Sequence, residues 1–148
     1  MNRRMRLTYH ADYALRVLMY AALKDGELVQ IQEVADAYDI SKNHLMKVAF
    51  QLGKLGFLDT VRGRNGGLRL ARPPEAIVIG DVVRKTEQDF NLMECFDPGS
   101  NTCVITGPCR LRGVLREALN AYLAVLDQHT LADLIKPRSA LSRLLLAS

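Results

Sequence analysis

No run of apolar residues in this chain approaches the ~18 consecutive positions that a membrane-spanning helix needs. The basic stretch Met1–Arg6 leads into an amphipathic segment, not into the continuous apolar core of a secretion signal. The expectation is a soluble, cytoplasmic protein with no membrane partner. Cysteine is scarce: the 148 residues hold three, Cys95, Cys103 and Cys109. An odd number cannot complete a disulfide framework. Internal repeats and low-complexity tracts are missing as well. So are a glycine-rich nucleotide fingerprint, a nucleophile elbow and a paired acid–base motif, and with them goes the simplest case for an enzyme.

What is present is enough apolar residue to build a core without staples, at 49% of the chain. The net charge of +4 is unevenly spread. Between Ile40 and Arg72 stand Lys42, Lys47, Lys54, Arg62, Arg64, Arg69 and Arg72 against Asp59 alone. A concentrated positive segment suits a polyanionic partner, although a solvated basic face would read the same way.

Helical spacing and caps divide the chain. Thr8 is placed to cap a helix to about Lys24, with Tyr13, Ala14, Val17, Leu18, Ala21 and Ala22 on its apolar stripe, and Asp25-Gly26 stops it. A short helix is predicted over Ile31–Tyr38, and Asp39-Ile40-Ser41 makes a turn. Ser41 caps a third helix from Lys42 to about Leu55, closed by Gly56. Phe57–Arg62 and Leu68–Arg72 read as a hairpin around the tip Gly63–Gly67, ended by Pro73-Pro74. A helix around Ile79–Glu87, a long helix from Leu111–Gly113 to about Gln128, a helical turn over Thr130–Ile135 and a leucine-rich tail complete the chain. The fold class is mainly α with a small β-hairpin: a winged helix-turn-helix plus a long dimerisation helix. Three units follow: a DNA-binding domain over 1–74, a linker helix and cysteine loop over 75–110, and a dimerisation helix with its tail over 111–148.

The order helix, short helix, tight turn, capped helix, hairpin is that of a winged helix-turn-helix. The first turn of the third helix presents Ser41, Lys42, Asn43 and His44, where free backbone N–H groups favour phosphate or base-edge acceptors. Lys42 and Lys47 can reach phosphate or guanine and Asn43 can pair with adenine. His44 can do either or be an idle exposed residue. Arg62, Gly63, Arg64, Asn65, Gly66 and Gly67 form a thin basic tip suited to the minor groove, or an ordinary glycine turn with incidental charge.

The cysteines follow the spacing C-x7-C-x5-C in a polar run. Structural zinc prefers shorter ligand pairs, and inert buried thiols want apolar surroundings. A loop with wide gaps can wrap an iron–sulfur cluster, [4Fe-4S] or [2Fe-2S], for which thiolates are the usual ligands. A zinc-stabilised interaction module is the rival. In either case one ligand is missing locally, and Asp12, His10, Glu94 and His129 are the candidates for it.

The segments Met5–Thr8, Asp12-Tyr13-Ala14-Leu15-Arg16, Ile40–Val48, Val61–Leu70, Glu94-Cys95 through Cys109-Arg110-Leu111, and Thr130–Ile135 resemble the Rrf2 family of bacterial transcription regulators. The resemblance runs from Met5 to about Leu146 and leaves residues 1–4 as an extension. His129 stands where the family pattern has tyrosine. The resemblance implies a homodimeric, DNA-binding repressor on double-stranded, inverted-repeat operator DNA, with an iron–sulfur cofactor. Its nitric-oxide-sensing branch is the nearest, so nitric oxide is the implied signal. The branch that governs cluster biogenesis supplies a histidine ligand three residues after the last cysteine, where this chain has Arg112. The nitric-oxide branch supplies an aspartate from the partner subunit, a role that falls here on Asp12, with His10 as substitute. Arg16, one turn on, would pass the signal to an acid such as Asp127 or Asp133. An iron-responsive branch shares the cysteine spacing but has an amide where Asp12 stands. The long helix carries Leu115, Ala118, Leu119, Tyr122, Val125 and Leu126 as its expected dimer stripe.

Overall fold

The computed structural model describes residues 5–146. Met1–Arg4, most of the basic N-terminal stretch, and the last two residues of the tail lie outside the described residues. Seven α-helices are described: α1 (Tyr9–Leu23), α2 (Ile31–Tyr38), α3 (Lys42–Lys54), α4 (Ile79–Thr86), α5 (Arg110–Asp127), α6 (Leu131–Leu134) and α7 (Arg138–Leu145). Strands β1 (Leu58–Val61) and β2 (Gly67–Leu70) follow α3, and 3₁₀ turns sit at Pro74–Ala76 and Glu94–Phe96.

Caps decide most of these boundaries. The Thr8 hydroxyl accepts the Ala11 N–H at 3.2 Å and so starts α1. Ser41 does the same for α3 through the His44 N–H at 3.4 Å. Asp39, with φ of 54°, ends α2 in the left-handed region, and Gly56, with φ of 84°, turns the chain from α3 into the hairpin. Thr130 and Asp133 form a reciprocal capping box at α6.

β1 and β2 pair antiparallel with Leu58 opposite Leu70 and Val61 opposite Gly67. Val29 adds a third, single-residue rung: it exchanges backbone hydrogen bonds with Leu68 at 2.7 and 2.9 Å. This ties the α1–α2 connection to the wing. Gly66 closes the turn, its N–H donating to the Gly63 carbonyl at 3.0 Å, and Gly67 forms the rung next to it, opposite Val61. A Cβ on Gly66 would overlap the Val61 carbonyl, and one on Gly67 would crowd the Val29 carbonyl. Close backbone approach therefore requires glycine at both positions of this tip, whatever the tip contacts.

One hydrophobic core joins Leu18, Leu45, Leu52 and Phe57 to Ile77, Val82, Val83 and Leu131. It passes across Pro73-Pro74 without a break. The C-terminal elements close it: Ile79 N–H donates to the His129 carbonyl and Leu131 N–H to the Ile77 carbonyl. The leucine tail docks through α7, whose Leu141 and Leu145 pack on the core while Leu144 stays exposed. Arg138 at the start of α7 donates to the Leu23 carbonyl at 3.2 Å, satisfying the open end of α1. A second, smaller cluster of Cys95, Phe96 and Leu119, backed by Phe90, Leu92, Met93, Leu115 and Leu123, lies under the middle of α5.

Candidate DNA-binding surface and cysteine loop

α3 buries Leu45, Val48, Ala49 and Leu52 and turns Ser41, Lys42, Asn43 and Lys47 to solvent. No acidic residue sits in its first turn, so the N-terminal N–H groups and the lysines present one sign of charge. Arg62, Arg64 and Asn65 are exposed at the wing tip. His44 differs from its neighbours in being half-buried: its ring meets Tyr13 of α1 edge-on, with centroids 4.7 Å apart. His10, also on α1, is hydrogen-bonded to Gln51 of α3. Burial, then the charge of nearby His44, holds the His10 pKa below its usual value, against an opposing pull from Glu87. The helix that carries Asp12 thus rests directly on the third helix through residues on either side of it.

Asp12 itself is engaged by its own helix. Arg16 donates to both of its carboxylate oxygens, Nε at 3.0 Å and Nη2 at 3.2 Å. The Arg16 guanidinium also lies over the rings of Tyr13 and Tyr38, at 5.6 and 5.7 Å. Burial raises the Tyr38 hydroxyl to about 12, opposed by the Arg16 charge. The expected partnership of Arg16 with Asp127 or Asp133 is not found. Asp127 binds Arg84, with Nη2 donating to Oδ2 at 2.9 Å, and Asp133 accepts the Thr130 N–H at 2.9 Å. A neighbour one helical turn away costs less chain ordering than a distant acid.

The three cysteines are free thiols in three environments. Cys95 is 6% exposed, with its thiol 3.9 Å from the Met93 sulfur. Cys103 is exposed, beside Val104 at 95% and Ile105 at 54% exposure. Cys109 is half-buried and immediately precedes α5 as its N-cap residue. Among the described residues no three His, Cys, Asp or Glu side chains converge on a point that could hold one metal ion. The donor chemistry nevertheless suits a thiolate-bound group. Cys109 shares an open cavity of about 300 Å³ with Thr106, Gly107, Arg112, Gly113 and Arg116. The Arg112 Nε is shielded from water with no hydrogen-bond acceptor. An anionic, sulfur-rich group beside Cys109 would give that donor a partner. Arg112, three residues after Cys109, brings a cation to this cavity.

α5 splits the stripe predicted for it. Leu119 is buried and Leu115 and Leu126 pack inward. Val114, Tyr122 and Val125 are exposed with Leu111, and Ala118 lies between them on the outer surface. The outer positions recur at spacings of three and four, which makes a continuous apolar face without a cover in the monomer.

A winged helix-turn-helix with a basic recognition face defines a DNA-binding regulator, and known proteins agree. Residues 7–137 match the Rrf2 family, described as iron-dependent transcriptional regulators. The chain belongs to the Rrf2 family, a family of transcriptional regulators and not of enzymes. It is 57% identical to the HTH-type transcriptional regulator NsrR of Bacillus subtilis, covering 95% of this chain and 97% of that one. It is 55% identical to NsrR of Bacillus licheniformis, covering 95% and 99%. The solved structure of IscR from T. potens superposes with a TM-score of 0.68 at 25% identity, covering 90% of this chain and 88% of that one. No described helix is long and apolar enough to cross a membrane.

Proposed function

We propose that this chain acts in the cytoplasm as a homodimeric repressor that holds operator DNA while an iron–sulfur cluster is bound, and releases it on reaction with nitric oxide. Cys95, Cys103 and Cys109 are the cluster ligands in this reading, with Asp12 of the partner subunit as the fourth and His10 as its substitute. These residues would hold the cluster, [4Fe-4S] or else [2Fe-2S], and it would supply iron with an affinity for nitric oxide. The observation that carries the proposal is the placement of every cysteine on one loop that ends at the N-cap of α5, the helix with the uncovered apolar face. The similarity to NsrR proteins over almost the whole of both chains supports nitric oxide as the signal.

The chain's own residues set the coupling. The outer face of α5 pairs two copies, so that the cysteine loop of one approaches α1 of the other. Asp12 must leave Arg16 to become a ligand and returns to it when released. A carboxylate is a hard donor on soft iron, and the more readily displaced for it. His10 and Tyr13 carry any shift of α1 to Gln51 and His44 on α3. Ser41, Lys42, Asn43, His44 and Lys47 then lose register with the major groove, and Arg62, Arg64, Asn65, Gly66 and Gly67 with the backbone or minor groove. Units 1–74, 75–110 and 111–148 divide these tasks into DNA binding, cluster binding and dimerisation.

The test is operator binding by anaerobic protein during titration with nitric oxide, with absorbance followed in parallel. Release in step with bleaching is expected. Bleaching without change in operator affinity overturns the proposal. The family's description as iron-dependent favours a second reading, an iron-responsive regulator, which predicts release by an iron chelator alone.

A further inference from the structure

The outward face of α3 is not wholly polar. Opposite the buried stripe, Asn43, Lys47, Phe50 and Lys54 follow one another at helical spacing. Phe50 is 66% exposed, and Met46, one turn before it, is 52% exposed. The Lys54 ammonium lies 5.0 Å from the Phe50 ring centroid. The core beneath is complete without either side chain, since Leu45, Val48 and Leu52 are fully buried. Two large apolar groups at i and i+4, bracketed by lysines on a face that carries no acid, complement a polyanion that has an apolar feature within reach.

Duplex DNA has one such feature in its major groove, the C5-methyl group of thymine. At ~1.5 Å rise per residue, Phe50 stands about 10 Å beyond Asn43, roughly three base-pair steps along the groove. We propose that Phe50, assisted by Met46, reads a thymine methyl group in each operator half-site. Sequence preference then has an apolar component beside the hydrogen-bonding one of Asn43 and Lys47. The inference rests on α3 being the recognition helix of the proposed function. Lys54, held over the ring, is left to contact the adjacent phosphate.

The experiment uses anaerobically purified dimer and a duplex selected by it from a random library. Each dT of that duplex is replaced singly by dU, which removes the methyl group and keeps the pairing. One thymine per half-site is expected to lose about three- to fivefold in affinity on replacement, the scale of one methyl group withdrawn from an apolar contact. Phe50→Ala is expected to lose the same factor on the dT duplex and to bind dT and dU forms equally, whereas Phe50→Leu keeps part of the discrimination. If no position responds to dU, or if Phe50→Ala weakens binding while still discriminating, the proposal is overturned. Dimer dissociation by Phe50→Ala with dU discrimination unchanged overturns it too, and assigns the face to a second copy. A failure of the recognition-helix reading looks different, because Asn43→Ala and Lys47→Ala would then leave operator affinity unchanged.

Discussion

α3 is 13 residues long and buries four of them, whereas α5 is 18 residues long and buries one. The shorter helix is capped by Ser41, closed by Gly56 and seated on a core shared by α1, the wing and α4. The longer one starts at Cys109 without a side-chain cap, covers only the small Cys95–Phe96–Leu119 cluster and leaves Leu111, Val114 and Val125 in water. One chain thus finishes its DNA-facing part by itself and leaves its cysteine-bearing part to be completed by something else. The proposed function uses that division: the DNA-facing surface is seated on the core in advance, and the part proposed to respond is held by few interactions.

The contrast can be broken most sharply at the cysteines. Substituting serine for Cys95, Cys103 or Cys109 is expected to abolish cluster binding, read as iron and acid-labile sulfide after anaerobic purification, while helical content by circular dichroism stays near wild type. Compared with cluster-free wild type, Cys95→Ser should also lower the melting temperature, because it places a hydroxyl in an apolar cluster, and exposed Cys103→Ser should not. Equal thermal losses at the two sites would contradict the burial difference.

Next in size is the outer face of α5. Val114→Asp should raise the dimer dissociation constant by two orders of magnitude or about that, measured by sedimentation, since two carboxylates would be desolvated per dimer. A dimer as tight as wild type would mean that another surface pairs the subunits.

The DNA-facing part should respond more gently and more locally. Lys47→Ala is expected to weaken operator binding about tenfold at moderate salt and to reduce the slope against log salt by ~1. An unchanged slope would remove Lys47 from the phosphate contacts.

The smallest effect concerns α6. The Thr130 N–H, first among its neighbours, holds the Asp133 carboxyl below its usual pKa. A carboxylate depressed on folding stabilises above its unfolded pKa, and that contribution is lost as pH falls through the folded one. Asp133→Asn should therefore narrow the gap in melting temperature between neutral and acidic solution. A gap equal to that of wild type would discard the capping role.

Local signals carried most of the legible structure. Thr8, Ser41 and Gly56 punctuate the first helices as their side chains or φ angles dictate, and Ile31–Tyr38 has the bounds its spacing predicts. Long-range pairings were opaque. The Val29–Leu68 rung joins residues far apart in sequence, and it explains Gly67, whose neighbour in space is the Val29 carbonyl. Cys95 is legible only in part: the run after it is polar, yet Phe90, Leu92, Met93 and Phe96 supply an apolar lining. The split of the α5 stripe needed the position of Leu119 against that lining. Phe50 and Met46 carry no charge or hydrogen-bonding group, so nothing in their chemistry singles them out as DNA contacts. Counting ~100° per residue from Leu45 would have put Phe50 on the far side.

The clasp between Arg84 and Asp127 has a mechanical consequence. Gly80 leaves room for it, since a Cβ there would strike the Asp127 carboxylate. It pins the C-terminal end of α5 to α4, while the other end begins at Cys109. Eighteen residues make a rod about 27 Å long, so a swing of ~10° about the clasp moves the cysteine end by about 5 Å. In the proposed function the fulcrum stands at one end and the cluster at the other, so α5 would act as a lever with its longest arm at the sulfur.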